Sequence, residues 1–397
     1  MIREIEAKSI FRRNRKHIDD WFCGSYGLAP YYGCQHACVY CDGRYEKYGF
    51  EGEFGKDVSV KKNTIELLKK EIRLVKEPGY VFIGSGITDA YQPIEKKYHL
   101  TRKSIQIIAD HPLLSLHILT KSALVDEDLD LIASIASSKN KKAIISFSIA
   151  FDNDTNRKKF EPRTAPIEER WEILAEARKM GINTGVYLIP SIPFISDSEE
   201  ELRGIYEKCL EYKVDFVLSG GMTLKIGRQK EFYLNFIKQK FPDLYELTVK
   251  LYSNADHYGS PVWNYANKLN ALFNRLTHEC KLRVRIPQDL LKNVIPNYYE
   301  VALMLAHLGE YLKQSGLNRK AYVYAGYSLQ KWVYEAKKGK TRRKDFNYKV
   351  IEKAFEGEVL SGNIKRLPSI GDTIYKMLVE FIRTGSIEYY DQVVSYK

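Results

Sequence analysis

The sequence predicts an α/β protein whose parallel strands form a sheet or an incomplete barrel, and three observations support this fold class. Short runs of β-branched and aromatic residues alternate along the chain with segments of helical periodicity. The runs are apolar almost throughout, as in strands that helices cover on both faces. Proline and glycine stand near the expected ends of a helix. In such folds the functional residues gather at the carboxyl ends of the strands.

Six strands are predicted. The first is LAPYY, residues 28–32, and the other five are the apolar runs at 80–85, 114–120, 143–150, 182–189 and 214–220. With the helices that lie between them, these strands give six β/α units.

Helices are predicted where apolar residues recur at spacings of three and four. Residues 63–76, 126–137 and 166–180 each place such residues on one face. The third segment has a proline near its start and a glycine just past its end. The stretch SEEE, residues 198–201, is typical of a capping box, so a further helix is expected to begin there.

Composition excludes several classes of protein. The chain has 397 residues, of which 44% are hydrophobic and 28% charged, as expected for two or three globular domains rather than for a disordered chain. No apolar run is long enough to span a bilayer, and the first residues lack the apolar core of a signal peptide. Six cysteines do not indicate a secreted disulfide framework. We expect a monomeric cytoplasmic protein without membrane association.

The positive charge of the chain is unevenly distributed. Net charge is +12, and residues 301–397 hold 17 Lys and Arg against 10 Asp and Glu. The stretch KKGKTRRK, residues 337–344, has six cations in eight positions. Such runs are typical of solvated loops, and richness in Lys and Glu also occurs without a polyanionic partner. The uneven excess favours a partner with a phosphate backbone.

Three of the six cysteines lie together in YYGCQHACVYCDG, residues 31–43. Zinc normally takes four ligands, often as two separated pairs, and the sequence has no second CxxC. A redox motif takes two thiols and leaves Cys34 unexplained. Three thiolates with the spacing CxxxCxxC can bind three irons of a 4Fe–4S cube and leave the fourth iron open to a cofactor. Cys209 has the spacing of a helix core residue, while Cys23 and Cys280 lack companions, so a single cluster is expected.

With this motif after the first strand, the chain resembles the radical S-adenosylmethionine (SAM) enzymes. Their signature is matched by Cys34, Cys38 and Cys41, with the aromatic Tyr40 before the last cysteine. The resemblance implies a partial (β/α)6 barrel of the TIM type, one 4Fe–4S cluster and SAM. In that family the cluster reduces SAM, and the resulting 5′-deoxyadenosyl radical abstracts hydrogen from a C–H bond.

The same resemblance implies a set of SAM contacts. Glycine-rich backbone after the second strand, GSGITD, would meet the methionine amino group, and Lys121 would meet its carboxylate. Serines on the fourth strand would reach the ribose, and an arginine in EPRT is a second carboxylate candidate. An ordinary hydrogen bond at a loop or strand end is the alternative for each polar residue. The remaining candidates are Gly84, Ser85, Ser146, Ser148 and Arg163.

Within the superfamily, GITDAYQPIE, ILTKS and FEPRTAPIEER are most similar to the spore photoproduct lyase group, which repairs a thymine–thymine adduct in DNA. The similarity covers about residues 25–220. Those lyases have a hydrogen-donating cysteine after the second strand, where this chain has Gly86. Tyr91 is the nearby residue that would take the role of hydrogen donor. Because of this departure the spore photoproduct reaction itself is not predicted, and the lesion or base stays open.

The last hundred residues are helical and resemble the small N-terminal domain of X-family DNA polymerases. LPSIGD resembles the turn of a helix–hairpin–helix, which presents backbone N–H groups to a DNA phosphate. The alternative is a helical cap that only buries barrel surface. The residues assigned to nucleic acid by this resemblance and by the basic run are Arg342, Arg343, Lys344, Lys365, Arg366, Ser369 and Gly371.

These observations predict four parts of the chain: an N-terminal extension (1–24), the radical SAM core (25–225), a bridging region (226–296) and a helical DNA-binding domain (297–397). The predicted function is radical repair or modification of a base in DNA. The alternatives are modification of RNA, or an iron–sulfur protein that binds nucleic acid or senses redox state without radical catalysis. Expected partners are duplex DNA and a reductase, flavodoxin or ferredoxin as electron donor.

Overall fold

Ten strands form two sheets in the part of the chain that the computed structural model describes, namely residues 1–14, 16–84, 87–253, 255–314, 316–317, 319–338, 340 and 346–395. The strands are β1 (Ile2–Ile5), β2 (Phe11–Arg13), β3 (Gly24–Leu28), β4 (Tyr31–Tyr32), β5 (Val58–Lys61), β6 (Gly79–Ile83), β7 (Leu114–Thr120), β8 (Ala143–Ser148), β9 (Asn183–Ser191) and β10 (Phe216–Gly221).

The larger sheet has seven strands in the order β10-β9-β8-β7-β6-β3-β2. From β3 to β10 all neighbours are parallel, and β2 is antiparallel to β3. The predicted α/β class with six parallel strands is therefore confirmed. The remaining strands form a three-stranded sheet in the order β1-β5-β4.

The first parallel strand lies earlier than predicted. It is β3, which ends at Leu28, whereas the sequence analysis expected a strand over 28–32. Pro30 interrupts that stretch because proline has no N–H group for the hydrogen-bond ladder. Tyr31 and Tyr32 instead pair with β5 in the smaller sheet.

The helices confirm the predicted alternation. Ser198 caps α7 through a 3.2 Å hydrogen bond that its hydroxyl accepts from the backbone N–H of Glu201. The segment predicted at 126–137 starts as a 3-10 helix and continues as an α-helix from Leu129. The α-helices are α1 (Thr64–Glu71), α2 (Glu95–Tyr98), α3 (Leu100–Ala109), α4 (Leu129–Ala136), α5 (Asp154–Phe160), α6 (Ile167–Lys179), α7 (Glu199–Glu211), α8 (Arg228–Lys240), α9 (Tyr245–Leu251), α10 (Trp263–Cys280), α11 (Gln288–Leu291), α12 (Asn297–Gln314), α13 (Lys320–Lys337), α14 (Tyr348–Leu360), α15 (Asp372–Thr384) and α16 (Glu388–Val394).

Side chains alternate along the parallel strands between two hydrophobic cores. One set, which includes Val81, Ile145 and Val186, packs beneath the helices of the β/α units. The other set, which includes Tyr187 and Phe216, belongs to a core formed with helices α12–α16, here called the helical unit. The helical unit therefore covers one face of the large sheet.

Helix α12 lies at the centre of this second core, because 14 of its 18 residues are buried. A helix that is apolar nearly all round is typical of the interior of a large protein. None of the described helices is long and apolar enough to cross a membrane.

Candidate active site

The three clustered cysteines lie on a loop that follows β4. Cys34 and Cys38 are buried and Cys41 is half-buried. Between the first two, Ala37 has a φ of +58°, a left-handed conformation that turns the chain back. The N–H of Val39 donates a 2.8 Å hydrogen bond to the carbonyl of Phe160, which ties the loop to the end of α5.

This loop forms one wall of a cavity of about 290 Å³. The other walls come from residues at or near the carboxyl ends of β7, β8, β9 and β10. Functional residues are expected at these strand ends in this fold class. The lining residues are Cys34, His36, Cys38, Tyr40, Cys41, Asp42, Thr88, Asp89, Leu119, Thr120, Lys121, Ser148, Ile189, Pro190, Gly221, Met222 and Thr223.

The donor set of the loop fits an iron–sulfur cluster better than a single metal ion. No group of three or more His, Cys, Asp or Glu in the described ranges could hold a metal ion. A 4Fe–4S cube differs because each thiolate binds a different iron, so the sulfur atoms need not converge on one point. Burial raises the pKa of the Cys34 and Cys38 thiols, and that of Cys41 to about 11. Thiolates in this loop therefore need a bound cation beside them, and iron supplies one.

A buried carboxylate, Glu161, organises the polar side of the cavity. It accepts hydrogen bonds from the Tyr40 hydroxyl, from Lys121 Nζ at 2.9 Å and from Arg170 Nη2 at 2.7 Å. Burial alone would raise the pKa of Glu161, but the charges of Lys121 and Arg170 outweigh it and lower the pKa below its usual range. Glu161 is therefore ionised at neutral pH.

Lys121 joins this carboxylate to the cavity. Its Nζ also donates a 2.6 Å hydrogen bond to Ser148 Oγ, and both residues line the cavity wall. The lysine side chain keeps a small exposed fraction, 14%, while Glu161 is fully buried. The arrangement holds a cation at the cavity surface in a fixed position.

A second buried carboxylate, Asp89, lies in the same wall. Its oxygens accept hydrogen bonds from Thr120 Oγ1 and from the backbone N–H of Lys121, at 2.8 and 2.9 Å. His36 Nε2 lies 3.3 Å from Asp89 Oδ2. Burial would raise the pKa of Asp89, but His36 and these hydrogen bonds lower it. Asp89 thus fixes the end of β7 against the cysteine loop.

The other residues predicted to contact SAM differ in their position relative to the cavity. Gly84 follows β6, and a Cβ there would meet Phe82 at 2.8 Å and Leu119 at 3.1 Å, so the close approach requires glycine. Ser146 is fully buried below the cavity, where its hydroxyl is 2.9 Å from His117 Nε2. The prediction for Ser85, like the comparison with Gly86, falls outside the described residues.

Two further predicted residues do not line the cavity. Arg163 is exposed, and its Nη1 donates to the carbonyl of Gly55 at 3.1 Å. Tyr91 is buried in the core, where its hydroxyl donates to Asp128 Oδ2 at 2.9 Å. A hydroxyl committed to that carboxylate is not directed at a substrate in the cavity, so this position argues against a hydrogen-donor role for Tyr91.

Sequence reasoning did not identify Glu161, Arg170 or Asp89. Glu161 and Arg170 lie in FEPRTAPIEER, the stretch similar to the lyases, in which the predicted site residue is Arg163. Spacing offered one signal, since Arg170 occupies the buried face of α6 beside Trp171 and Leu174. A buried arginine requires a buried acid.

The predicted hairpin residues are paired with carboxylates. Lys365 forms an ion pair with Asp372, and Arg366 Nη2 lies 2.8 Å from Glu358 Oε2. Ser369 has a φ of +63°, a conformation that favours the glycine usual at this position, and Gly371 caps the start of α15. The predicted contacts of Arg342, Arg343 and Lys344 lie outside the described residues.

Comparison with known proteins gives three findings. The sequence profile of the radical SAM superfamily matches residues 28–204. An uncharacterized protein of Methanocaldococcus jannaschii is 33% identical over 56% of this chain and 78% of its own length. A radical SAM Nα-GlyT isomerase of Pseudomonas phage M6 is 25% identical over 45% of this chain and 35% of its own length.

Solved structures give a fourth comparison. A variant of spore photoproduct lyase matches with a TM-score of 0.51 and 16% identity, over 70% of this chain and 79% of that one. At this level of identity the match indicates a shared fold.

Proposed function

Because the chain belongs to the radical SAM superfamily, which implies a 4Fe–4S cluster and SAM as cofactors, we propose that it is an enzyme that repairs or modifies a base in DNA. The observation that carries the proposal is the loop of three cysteines that opens on the same cavity as Lys121. A cluster and an anion-binding cation on facing walls are what a cluster-bound amino acid cofactor requires.

Cys34, Cys38 and Cys41 would hold the cluster through their sulfur atoms. When bound, the cluster and SAM supply a 5′-deoxyadenosyl radical, which abstracts hydrogen from a C–H bond. The protein contributes burial: the loop, the sheet and the cavity walls keep water and oxygen away from the reacting atoms.

Lys121 would bind the carboxylate of SAM. Glu161 and Ser148 hold the ammonium group by hydrogen bonds of 2.9 and 2.6 Å, so the cation is positioned before the ligand arrives. Arg170 compensates the second oxygen of Glu161, which leaves the charge of Lys121 available to a ligand. Ser148 is also the serine of β8 nearest to a ribose in the cavity, since Ser146 lies below it.

A DNA substrate is supported by four observations. The fold is that of spore photoproduct lyase, and a relative is named an isomerase of Nα-GlyT. Net charge is +12, which favours a polyanion. The helical unit contains a hairpin-like turn before α15 whose backbone N–H groups could meet a phosphate. Structured RNA is the second candidate, because the same charge and turn would suit its backbone.

The proposal is tested by anaerobic incubation of reconstituted protein with SAM, dithionite and panels of damaged or unmodified DNA, with RNA as a parallel arm. Mass spectrometry of the nucleosides would report the altered base, and 5′-deoxyadenosine would report SAM cleavage. The Cys38→Ala variant is the matched control without a cluster. If 5′-deoxyadenosine forms with RNA but not with DNA, the substrate is RNA. If it forms with no nucleic acid, radical catalysis on DNA and on RNA is refuted.

A further inference from the structure

The exposed face of α10 has an unusual composition. Residues 263–278, WNYANKLNALFNRLTH, contain no Asp or Glu, although the chain has 50 such residues in 397. They contain four asparagines, which are poor helix formers because the amide competes for backbone hydrogen bonds. Helix propensity therefore does not explain this sequence.

The asparagines lie on one side of the helix. At about 100° per residue, they fall with Trp263, Lys268 and Arg275 within an arc of about 160°. Leu269, Phe273 and Leu276 occupy the opposite side and are buried. We call the four asparagines the amide face: Asn264, Asn267, Asn270 and Asn274.

The amide face lacks a structural role within the protein. None of its four side chains makes a hydrogen bond to another part of the described chain, and Lys268 makes no ion pair there. Arg275 is held by Glu199 at 2.5 Å. Trp263, at the start of the helix, is 75% exposed, although tryptophan is usually buried over most of its surface.

The two ends of the helix connect two parts of the molecule. Just before α10, the carbonyl of Gly259 accepts a 2.7 Å hydrogen bond from Leu224, which follows the cavity residues Met222 and Thr223. At its other end, α10 borders a groove of about 890 Å³, whose lining includes Asn274 and Glu279 of α10, Gln314 of α12 and Gln392 of α16. The helix spans about 27 Å between them at 1.5 Å per residue.

We propose that the amide face binds a DNA strand that runs between the mouth of the cavity and the helical unit. Amide N–H₂ groups donate hydrogen bonds to phosphate oxygens, and Lys268 supplies a cation. Residues 263–278 themselves contribute no carboxylate, and the neighbouring Glu199 and Glu279 are each paired with an arginine. Trp263 offers an exposed ring on which a base can stack. This inference rests on the proposed function, since it assumes a DNA substrate.

The first test replaces all four asparagines of the amide face by alanine in the full-length protein. Alanine is the better helix former, so the melting temperature should be unchanged or higher. Affinity for a duplex, measured by fluorescence anisotropy, should fall about tenfold or more, because several hydrogen bonds to phosphate are lost together. If the asparagines only stabilised the fold, the melting temperature and the affinity for the duplex would fall together.

The second test reverses one charge on α10. Lys268→Glu is compared with Lys70→Glu, which makes the same change of net charge at an exposed position of α1. The first variant should weaken duplex binding and the second should leave it nearly unchanged. If both variants weaken duplex binding equally, the loss comes from the overall charge of the protein, and the proposal is overturned.

The remaining outcomes separate this inference from the proposed function. If the unaltered protein binds duplex DNA and the four-alanine variant binds it equally well, the amide face is not the contact surface, while the proposed function stands. If the unaltered protein binds structured RNA but not duplex DNA, the DNA substrate itself is refuted, and with it this surface as a DNA site.

Discussion

The hydroxyl of Tyr298 donates a 2.7 Å hydrogen bond to Oε1 of Glu77 and so joins α12 to the turn before β6. The same buried carboxylate forms ion pairs with Lys337 of α13 and Arg13 of β2. Burial alone would raise the pKa of Glu77, but Lys337 and Arg13 outweigh it and lower the pKa. Strand β2 and helices α12 and α13 therefore meet at a single carboxylate between the large sheet and the helical unit.

Replacing this carboxylate by Glu77→Gln should lower the free energy of unfolding by about 3–5 kcal/mol, because two largely buried cations lose their partner. Urea denaturation followed by circular dichroism would measure the change. Glu66→Gln, at an exposed position of α1, is the matched control and should change stability by less than about 0.5 kcal/mol. Equal stability of the two variants would contradict the role assigned to Glu77.

Glu300 gives a prediction about pH. Burial raises its pKa to about 7, despite the hydrogen bond from Gln288 Nε2. Because the pKa is higher in the folded than in the unfolded protein, the folded state binds the proton more tightly. This contribution is fully present below about pH 4.3 and is lost as pH rises towards 7.

Glu300→Gln should therefore be more stable than the unaltered protein at pH 8, by roughly 3–4 kcal/mol, with little gain at pH 4. Thermal unfolding across this pH range would measure the difference. Glu66→Gln, at an exposed position of α1, again serves as the control. A stability difference that does not vary with pH would show that Glu300 titrates normally in the folded protein.

Cluster assembly depends on the three loop cysteines in our proposal. Cys38→Ala should abolish binding of about four irons after anaerobic reconstitution, because a cube held by two thiolates loses a third iron ligand. Iron and sulfide analysis would measure this. Cys209→Ala, which removes a buried thiol of α7, should retain the full content. A complete cluster in the Cys38 variant would refute the ligand assignment.

Lys121 is expected to act on SAM rather than on the cluster. Lys121→Met keeps most of the side-chain volume but removes the charge, so SAM affinity should fall about tenfold or more while iron content stays constant. Isothermal titration under anaerobic conditions would measure the affinity. Lys225→Met is a suitable control, because Lys225 is a similarly shielded lysine paired with Asp42. Unchanged SAM affinity in the Lys121 variant would reassign the carboxylate site.

The parts of the fold set by local pattern were predictable. The strand predicted at 114–120 coincides with β7, because six of its seven residues are apolar or small. Strand β3 was missed because GSYGL contains two glycines, which weaken any strand signal. Its conformation is imposed by pairing with β2 and β6, which are distant contacts that periodicity does not report.

The candidate site was predictable only where its residues share a sequence motif. The loop of Cys34, Cys38 and Cys41 has such a motif, and Lys121 stood at a strand end. The partners of Lys121 are different, because Glu161 and Arg170 acquire their roles from burial and mutual charge. Tyr91 illustrates the converse: its distance along the chain was suitable, but the backbone directs its side chain towards Asp128.

The hydrophobic core that the large sheet shares with the helical unit fixes the distance between the cavity and the helical unit. Two domains joined by a flexible linker sample many separations. A target bound by one domain then lies at no fixed distance from the site on the other. Here α12 is buried along most of its length, so packing rather than a linker sets the separation. A duplex held by the helical unit would lie at one distance and one angle from the cavity. The protein would then act on the base that lies a set number of base-pair steps from the point where the helical unit binds the duplex.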